Sequence, residues 1–240
     1  MNEPVIFEVE DNLAILTLNR PERKNAINQA LLIKLYDYLE EVEKNDGIQV
    51  AVLTGKGTAF CSGLDLSVIT TEDLMNPRGD GTDLLDVVGA CTKPLIGAIN
   101  GHAITGGFEL ALNCDFLIAS ENASFRDTHA KIGIHPGWGM TQLLQDAVGR
   151  RQAMQISLSC QFISAERALT WGLVNEVVPA DSLMMRAKQI AKEIAGVNPF
   201  MMQTVKRLIE YRKGSNLNRA MAKEKEGFTA FLDSLKAVPS

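Results

Sequence analysis

The 240-residue sequence has few cysteines, no long apolar run and no excess of basic residues. Its four cysteines are scattered without metal-ligand spacing, which predicts reduced thiols and no metal site. Because no apolar run reaches about 18 residues, we expect no membrane span. The net charge of −5 argues against general binding to nucleic acid. The N-terminus has neither a signal-peptide pattern nor an Arg-rich transit pattern, which predicts a cytoplasmic protein.

What the sequence does contain is an alternation of strand and helix patterns, which predicts an α/β protein. Residues 5–18 alternate like two strands, and Asn28 is placed to cap a helix with apolar residues at helical spacing. Beyond residue 140 the pattern becomes mostly helical. The polar stretch 70–82 contains several turn formers and indicates a mobile loop.

The most informative stretch runs from Gly101 to Leu110 and joins the apolar run 94–99 to a helical pattern. This order predicts a buried strand, a glycine turn and then a helix. The first backbone N–H groups of a helix have no partner within it, and glycine lets a ligand approach them closely. Such donors can hold a carbonyl oxygen that becomes negative during a reaction, and Glu109 would stand beside it to move a proton.

A second stretch of the same kind follows the apolar strand pattern 50–54. Residues 57–66, with the sequence GTAFCSGLDL, form a turn of small residues that can also expose backbone N–H groups. Two such turns can direct two N–H groups at one oxygen. The pair predicts a site that stabilises an oxyanion.

With these motifs the chain resembles the enoyl-CoA hydratase/isomerase superfamily, whose members have the crotonase fold. The resemblance extends from Leu18 to about Pro199. Five segments carry it, in the same order as in the family: Asn19-Arg20-Pro21 to Asn25-Ala26, Phe60 to Leu66, Lys93-Pro94 to Glu109-Leu110, Cys114-Asp115, and Gly133 to Gly139.

The resemblance implies a crotonase-type spiral of ββα turns with a mostly helical C-terminal region. We expect the spiral core over residues 1–195 and a helical trimerisation region over residues 196–240, within a homotrimer or a dimer of trimers. The family acts on acyl-CoA thioesters. Coenzyme A would be part of the substrate, and neither a metal nor another cofactor is implied.

The resemblance also assigns roles to individual residues. The backbone N–H groups of Leu64 and Gly106 would form the oxyanion hole, and Glu109 would be the principal acid/base. Positions that match the family's contacts to CoA or to the acyl chain are Lys24, Ala26, Ser62, Asp65, Leu66 and Trp138, the last as an apolar wall.

One position departs from the family pattern. Hydratases of this family use a second glutamate, and counting from Phe125 and from Gly133 places His129 there. An imidazole has an ordinary pKa of about 6.5 and can carry a proton at neutral pH; alternatively, His129 only packs or forms hydrogen bonds. Asp127 could orient it from the same face of an extended segment, but because most charged residues stay exposed we expect a surface carboxylate or a partner of Arg126.

These observations predict an acyl-CoA lyase, an enoyl-CoA hydratase that adds water across a 2,3-double bond through a stabilised enolate. Two alternatives stay open. A double-bond isomerase needs only one base, which Glu109 could supply. A non-catalytic acyl-CoA-binding homologue would keep the N–H pair without turnover.

Overall fold

A computed structural model describes residues 3–236. The chain divides into two compact units, residues 1–196 and residues 197–240. The first contains all ten strands and eight of the α-helices found in the described residues. The second contains two helices. No described helix is both long and apolar enough to cross a membrane.

The strands are β1 (Val5–Glu10), β2 (Leu13–Leu18), β3 (Val50–Gly55), β4 (Ala59–Cys61), β5 (Leu95–Ile99), β6 (His102–Ile104), β7 (Phe116–Ser120), β8 (Ser124–Arg126), β9 (Ile163–Ser164) and β10 (Glu176–Val178). The helices are α1 (Gln29–Lys44), α2 (Leu84–Ala90), α3 (Gly106–Leu112), α4 (His129–Ile132), α5 (Met140–Val148), α6 (Arg150–Ser159), α7 (Ala165–Thr170), α8 (Leu183–Ala195), α9 (Pro199–Tyr211) and α10 (Leu217–Lys236).

The larger sheet has six strands in the order β1-β2-β3-β5-β7-β10. Only β1 and β2 are antiparallel, joined by the tight turn at residues 11–12, and the other pairs are parallel. Its central strands β3, β5 and β7 are mostly apolar, as expected for strands covered on both faces. One face packs on the large core that includes α1, and the other packs on the buried side of α8.

The smaller sheet, in the order β4-β6-β8-β9, gives the fold its spiral. β3, β5 and β7 lie in the large sheet, and the strand after each, β4, β6 and β8, lies in the small one. Each such pair precedes a helix, so the unit ββα is repeated three times. The loops that follow β4, β6 and β8 are therefore neighbours.

Most predicted elements are confirmed, with one correction that matters for the site. The sequence predicted a glycine turn from the strand ending at Ile99 directly into a helix, but the short strand β6 intervenes. A Cβ on Gly101 would lie 2.1 Å from the Thr58 carbonyl oxygen, so only glycine permits this change of sheet. Asn28 caps α1 as predicted, its side chain accepting from the Leu31 N–H.

Candidate active site

A cavity of about 360 Å³ opens where the loops after β4, β6 and β8 meet. Its wall is mainly apolar and is completed by the segments 66–75 and 132–138. Five titratable side chains line it: Glu72, Asp73, Glu109, His129 and His135. No lysine or arginine of the described residues lines it.

The backbone N–H groups of Leu64 and Gly106 lie close together beside this cavity, which Leu64 lines. A Cβ built on Gly106 would lie 3.4 Å from the amide nitrogen of Leu64, and a Cβ built on Gly63 would lie 3.2 Å from the amide nitrogen of Gly106. Within residues 3–236, neither N–H donates to a protein acceptor. Gly106 is the first residue of α3, so its N–H is also at the positive end of a helix.

Thr105 holds this turn in an unusual backbone conformation, with φ of 50° and ψ of −112°. A threonine in such a region is strained by about 1–3 kcal/mol and persists only where its surroundings fix it. Its N–H donates to the Arg126 carbonyl at 2.8 Å, and its hydroxyl bonds the Thr128 hydroxyl and accepts the Thr128 N–H. Packing and hydrogen bonding therefore fix the direction of the Gly106 N–H.

Glu109 lies one turn into α3, and its side chain is 3% exposed. Its Oε1 accepts the backbone N–H of Trp138 at 2.9 Å and that of Met140 at 3.2 Å. Its Oε2 is 3.6 Å from Nε2 of His129. One carboxylate oxygen is thus fixed by the backbone, and the other is directed at the imidazole.

His129 begins α4 and is also buried. Its Nδ1 is 2.7 Å from Oδ1 of Asp127, and the same oxygen accepts the His129 backbone N–H at 3.0 Å. Burial opposes the ionisation of Asp127, but the bonds from His129 and from the Ser157 side chain outweigh it and lower the pKa of that carboxyl. The three side chains form a row, Asp127, His129 and Glu109, inside the protein.

Comparison with known proteins identifies the family of this chain. A sequence model of the enoyl-CoA hydratase/isomerase family matches residues 8–238. This chain belongs to that family. It is 36% identical over 223 residues to the probable enoyl-CoA hydratase 1, peroxisomal, of Arabidopsis thaliana, covering 93% of this chain and 84% of the relative. It is 37% identical over 226 residues to the 2,3-dehydroadipyl-CoA hydratase of Escherichia coli K12, covering 94% and 89%.

Among solved structures, the enoyl-CoA hydratase of Bacillus anthracis superposes with a TM-score of 0.88 at 31% identity, covering 96% of this chain and 91% of that one. The family and the fold predicted from the motifs are confirmed. The protein is accordingly an α/β member of a family of enzymes that act on enoyl-CoA thioesters.

The prediction for Asp127 was wrong. The Asp127 side chain is only 2% exposed, and its carboxylate contacts His129 and not Arg126. The Arg126 Nε donates instead to the Cys160 carbonyl at 2.7 Å. The spacing of Asp127 and His129 in the sequence was the signal that could have predicted their contact. The prediction gave more weight to the general preference of carboxylates for the surface.

The positions matched to substrate contacts lie in two groups in this enoyl-CoA hydratase/isomerase family member. Ser62, Leu66 and Trp138 line the cavity. Lys24, Ala26 and Asp65 lie outside its wall: Lys24 is exposed, and Asp65 is buried and paired with Arg20 at 3.0 Å. Whether these residues contact CoA stays a prediction.

Sequence reasoning missed several groups of the site. The family motifs did not indicate that the backbone N–H groups of Trp138 and Met140 bond Glu109. Every residue except proline has a backbone N–H, so the residue type does not show which N–H is the donor. The strained conformation of Thr105 was equally invisible, since positive φ at a non-glycine residue follows from tertiary contacts.

Proposed function

We propose that this protein is an enoyl-CoA hydratase that adds water to the 2,3-double bond of a 2-enoyl-CoA. The observation that carries the proposal is the 3.6 Å approach of Glu109 Oε2 to His129 Nε2, beside the N–H groups of Leu64 and Gly106. A carboxylate base and an imidazole acid then stand together next to an oxyanion site.

The proposed reaction assigns each proton to an atom. The thioester oxygen binds the N–H groups of Leu64 and Gly106, which stabilise the enolate. The Glu109 carboxylate takes a proton from water while the water oxygen bonds to C3. The His129 imidazolium gives the proton on Nε2 to C2. Transfer of the new proton from Glu109 to His129 restores the starting state, and the sum is addition of one water.

The acyl group that this cavity favours is uncharged. Its described lining offers no lysine or arginine, whereas the loop 70–82 contributes the carboxylates of Glu72 and Asp73. Both are fixed: Glu72 accepts the Gln29 N–H at 2.7 Å, and Asp73 accepts the N–H groups of Met75 and Asn76. An acyl chain that ends in a carboxylate would therefore meet like charge without a partner. The E. coli relative is named for such a substrate.

Double-bond isomerisation is the second candidate. It is favoured by the two backbone N–H groups that fix the carboxylate of Glu109. A single fixed base can carry a proton between C2 and C4. The two reactions separate with one pair of variants: hydration of crotonyl-CoA requires both Glu109 and His129, and isomerisation of a 3-enoyl-CoA requires Glu109 alone.

The test is to follow the absorbance of the conjugated enoyl thioester, which hydration of crotonyl-CoA removes and isomerisation of a 3-enoyl-CoA creates, in wild type, Glu109→Gln and His129→Ala. Hydration that falls in both variants supports the hydratase. Isomerisation that survives His129→Ala, without hydration in wild type, supports the isomerase. Binding of crotonyl-CoA with no turnover of either substrate would mean a non-catalytic acyl-CoA-binding protein.

We further propose that the C-terminal helical region, residues 196–240, assembles the protein as a homotrimer or a dimer of trimers. No residue of α9 or of the described part of α10 is buried. Their large exposed apolar side chains include Phe200, Ile209, Phe228 and Leu235. Sedimentation should give a trimer or hexamer mass, and Phe228→Glu should reduce it. A cytoplasmic location stays a prediction.

A further inference from the structure

The carboxylate of Asp127 contacts His129 on the side of the ring opposite the cavity. Asp127 is the first residue after β8, and its Oδ1 receives both the ring Nδ1 at 2.7 Å and the backbone N–H of His129 at 3.0 Å. The side chain of Asp127 is 2% exposed. One oxygen therefore holds His129 at two points, the ring at Nδ1 and the backbone at its N–H, and the contact at Nδ1 fixes the orientation of the ring.

This contact determines which ring nitrogen carries hydrogen. An ionised carboxylate can only accept hydrogen bonds, so Nδ1 must be the donor in both the neutral and the charged imidazole. Hydrogen bonds to Asp127 from His129 and from the side chain of Ser157 keep its pKa low against the effect of burial. Nε2, the nitrogen 3.6 Å from Glu109, is then the atom that gains and loses a proton.

We propose that Asp127 is a positioning residue that fixes the Nδ1–H form of His129 and so directs Nε2 toward Glu109 for proton delivery. The proposal rests on the proposed role of His129 as the acid of hydration. Asp127 itself does not touch the substrate, because the imidazole ring lies between its carboxylate and Glu109.

The charges around the ring support this role. Two carboxylates lie within 4 Å of its nitrogens in the described part of the chain, Asp127 beside Nδ1 and Glu109 from α3 beside Nε2. Neighbouring cations are directed elsewhere. The guanidinium of Arg126 lies over the Phe162 ring at 4.6 Å, and Lys131 of α4 is exposed.

The remaining elements add little charge near the ring. α6 presents the Ser157 hydroxyl to Asp127, and its two arginines, Arg150 and Arg151, are exposed at its start. His135 lines the same cavity, with its Nδ1 2.7 Å from the Pro136 carbonyl oxygen.

The experiment compares the nitrogen-15 NMR signals of the imidazoles in wild type and in Asp127→Asn, which keeps shape and removes charge. The chain has three histidines, so the His129 signal can be assigned by its loss in His129→Ala. In Asp127→Asn we expect the neutral His129 ring to lose its fixed tautomer, because an amide can present either its oxygen or its NH2 group to Nδ1. Asp146→Asn, an exposed change on α5, should leave the tautomer unchanged.

The kinetic readout separates positioning from general structure. In Asp127→Asn we expect kcat for hydration to fall about 100-fold with KM nearly constant, since the acyl cavity and the N–H pair are untouched. An unchanged kcat and an unchanged His129 tautomer in the folded variant would overturn the proposal.

A second measurement needs no variant and guards against a variant that does not fold. Nitrogen-15 shifts of wild-type imidazoles report which nitrogen keeps its hydrogen above the pKa. Hydrogen retained on Nδ1 of His129 supports the proposal, and hydrogen retained on Nε2 contradicts it. Because this readout is independent of turnover, normal hydration by His129→Ala would refute the proposed function without affecting the assignment of the tautomer.

Discussion

Trp138 donates its backbone N–H to Oε1 of Glu109 at 2.9 Å, while the residue also lines the cavity. The same residue thus contributes to the shape of the proposed substrate site and, through its backbone, to the position of the proposed base. The Met140 N–H, at the start of α5, holds the same oxygen at 3.2 Å. We therefore expect a change that displaces the loop 133–139 to alter both acyl preference and rate.

Glu109→Gln should reduce hydration by about 100-fold or more, because the amide keeps the shape of the side chain but cannot accept the proton of water. The measurement is kcat on the best enoyl-CoA. Glu166→Gln, an exposed change on α7, is the control and should leave kcat unaltered. Wild-type turnover in Glu109→Gln would remove Glu109 from the mechanism.

Gly106→Ala should lower the activity of a folded protein, whereas Gly107→Ala should lower its stability. A methyl group on Gly106 would lie 3.4 Å from the Leu64 nitrogen, an ordinary contact, so the variant should fold while the methyl obstructs the oxyanion site. Loss of about 100-fold to 1000-fold in kcat is expected, as for removal of one oxyanion donor.

A methyl group on Gly107 would lie 2.2 Å from the Cys61 carbonyl oxygen, so Gly107→Ala should lower the thermal midpoint or prevent folding. Thermal unfolding of both variants beside their kinetics makes the distinction. A fully active Gly106→Ala would mean that the thioester oxygen binds elsewhere.

Charge at the end of the acyl chain should decide between substrates of equal length. 2-Hexenoyl-CoA and 2,3-dehydroadipyl-CoA have acyl chains of the same length and differ by a terminal carboxylate. We expect kcat/KM to be about 100-fold higher for the uncharged chain, because juxtaposed like charges without a partner cost several kcal/mol. Comparable values at low ionic strength would show that the carboxylates of Glu72 and Asp73 do not face the chain end.

Arg78→Ala should release the loop 70–82 from α1. Arg78 pairs with Glu40 and, at 3.0 Å, with Asp37, and its guanidinium lies over the Tyr36 ring. Since Leu74 and Met75 of this loop line the cavity, KM should rise several-fold, and limited proteolysis should cut the loop faster. Arg150→Ala, an exposed change, is the control; an unchanged KM and cleavage rate would contradict this role.

The pair of Arg78 with Glu40 should also make the loop respond to acid. Hydrogen bonds from Lys44 and then from Arg78 lower the pKa of Glu40 to about 2. A folded pKa below the unfolded one means that the stabilisation is present above the ordinary carboxyl pKa and is lost as pH falls toward 2. Proteolysis with an acid-active protease should therefore show the loop protected at pH 5 and released near pH 2, and cleavage independent of pH would contradict this.

The sequence was sufficient to predict the elements in which apolar side chains recur at helix or strand spacing. The apolar spacing of α1, the apolar strands β3, β5 and β7 and the glycines around Gly106 all follow from local chemistry. The short strands β6 and β8 were not predicted, because three residues are too few to show the alternation of side chains that is typical of a strand. The burial of Asp127 could not be predicted, because it depends on the contact with His129. His129 is itself buried where α4 packs against α6.

Thr105 and Thr128 join two of the three ββα units, because the hydroxyl of each contacts the other at the start of α3 and of α4. Gly106, the proposed oxyanion donor, and His129 thus follow directly after the two threonines of one hydrogen bond between repeats. The consequence is evolutionary. A change at one threonine alters the fitness effect of a change at the other, so in a library that randomises both positions, active sequences should appear as correlated pairs and seldom as independent single replacements.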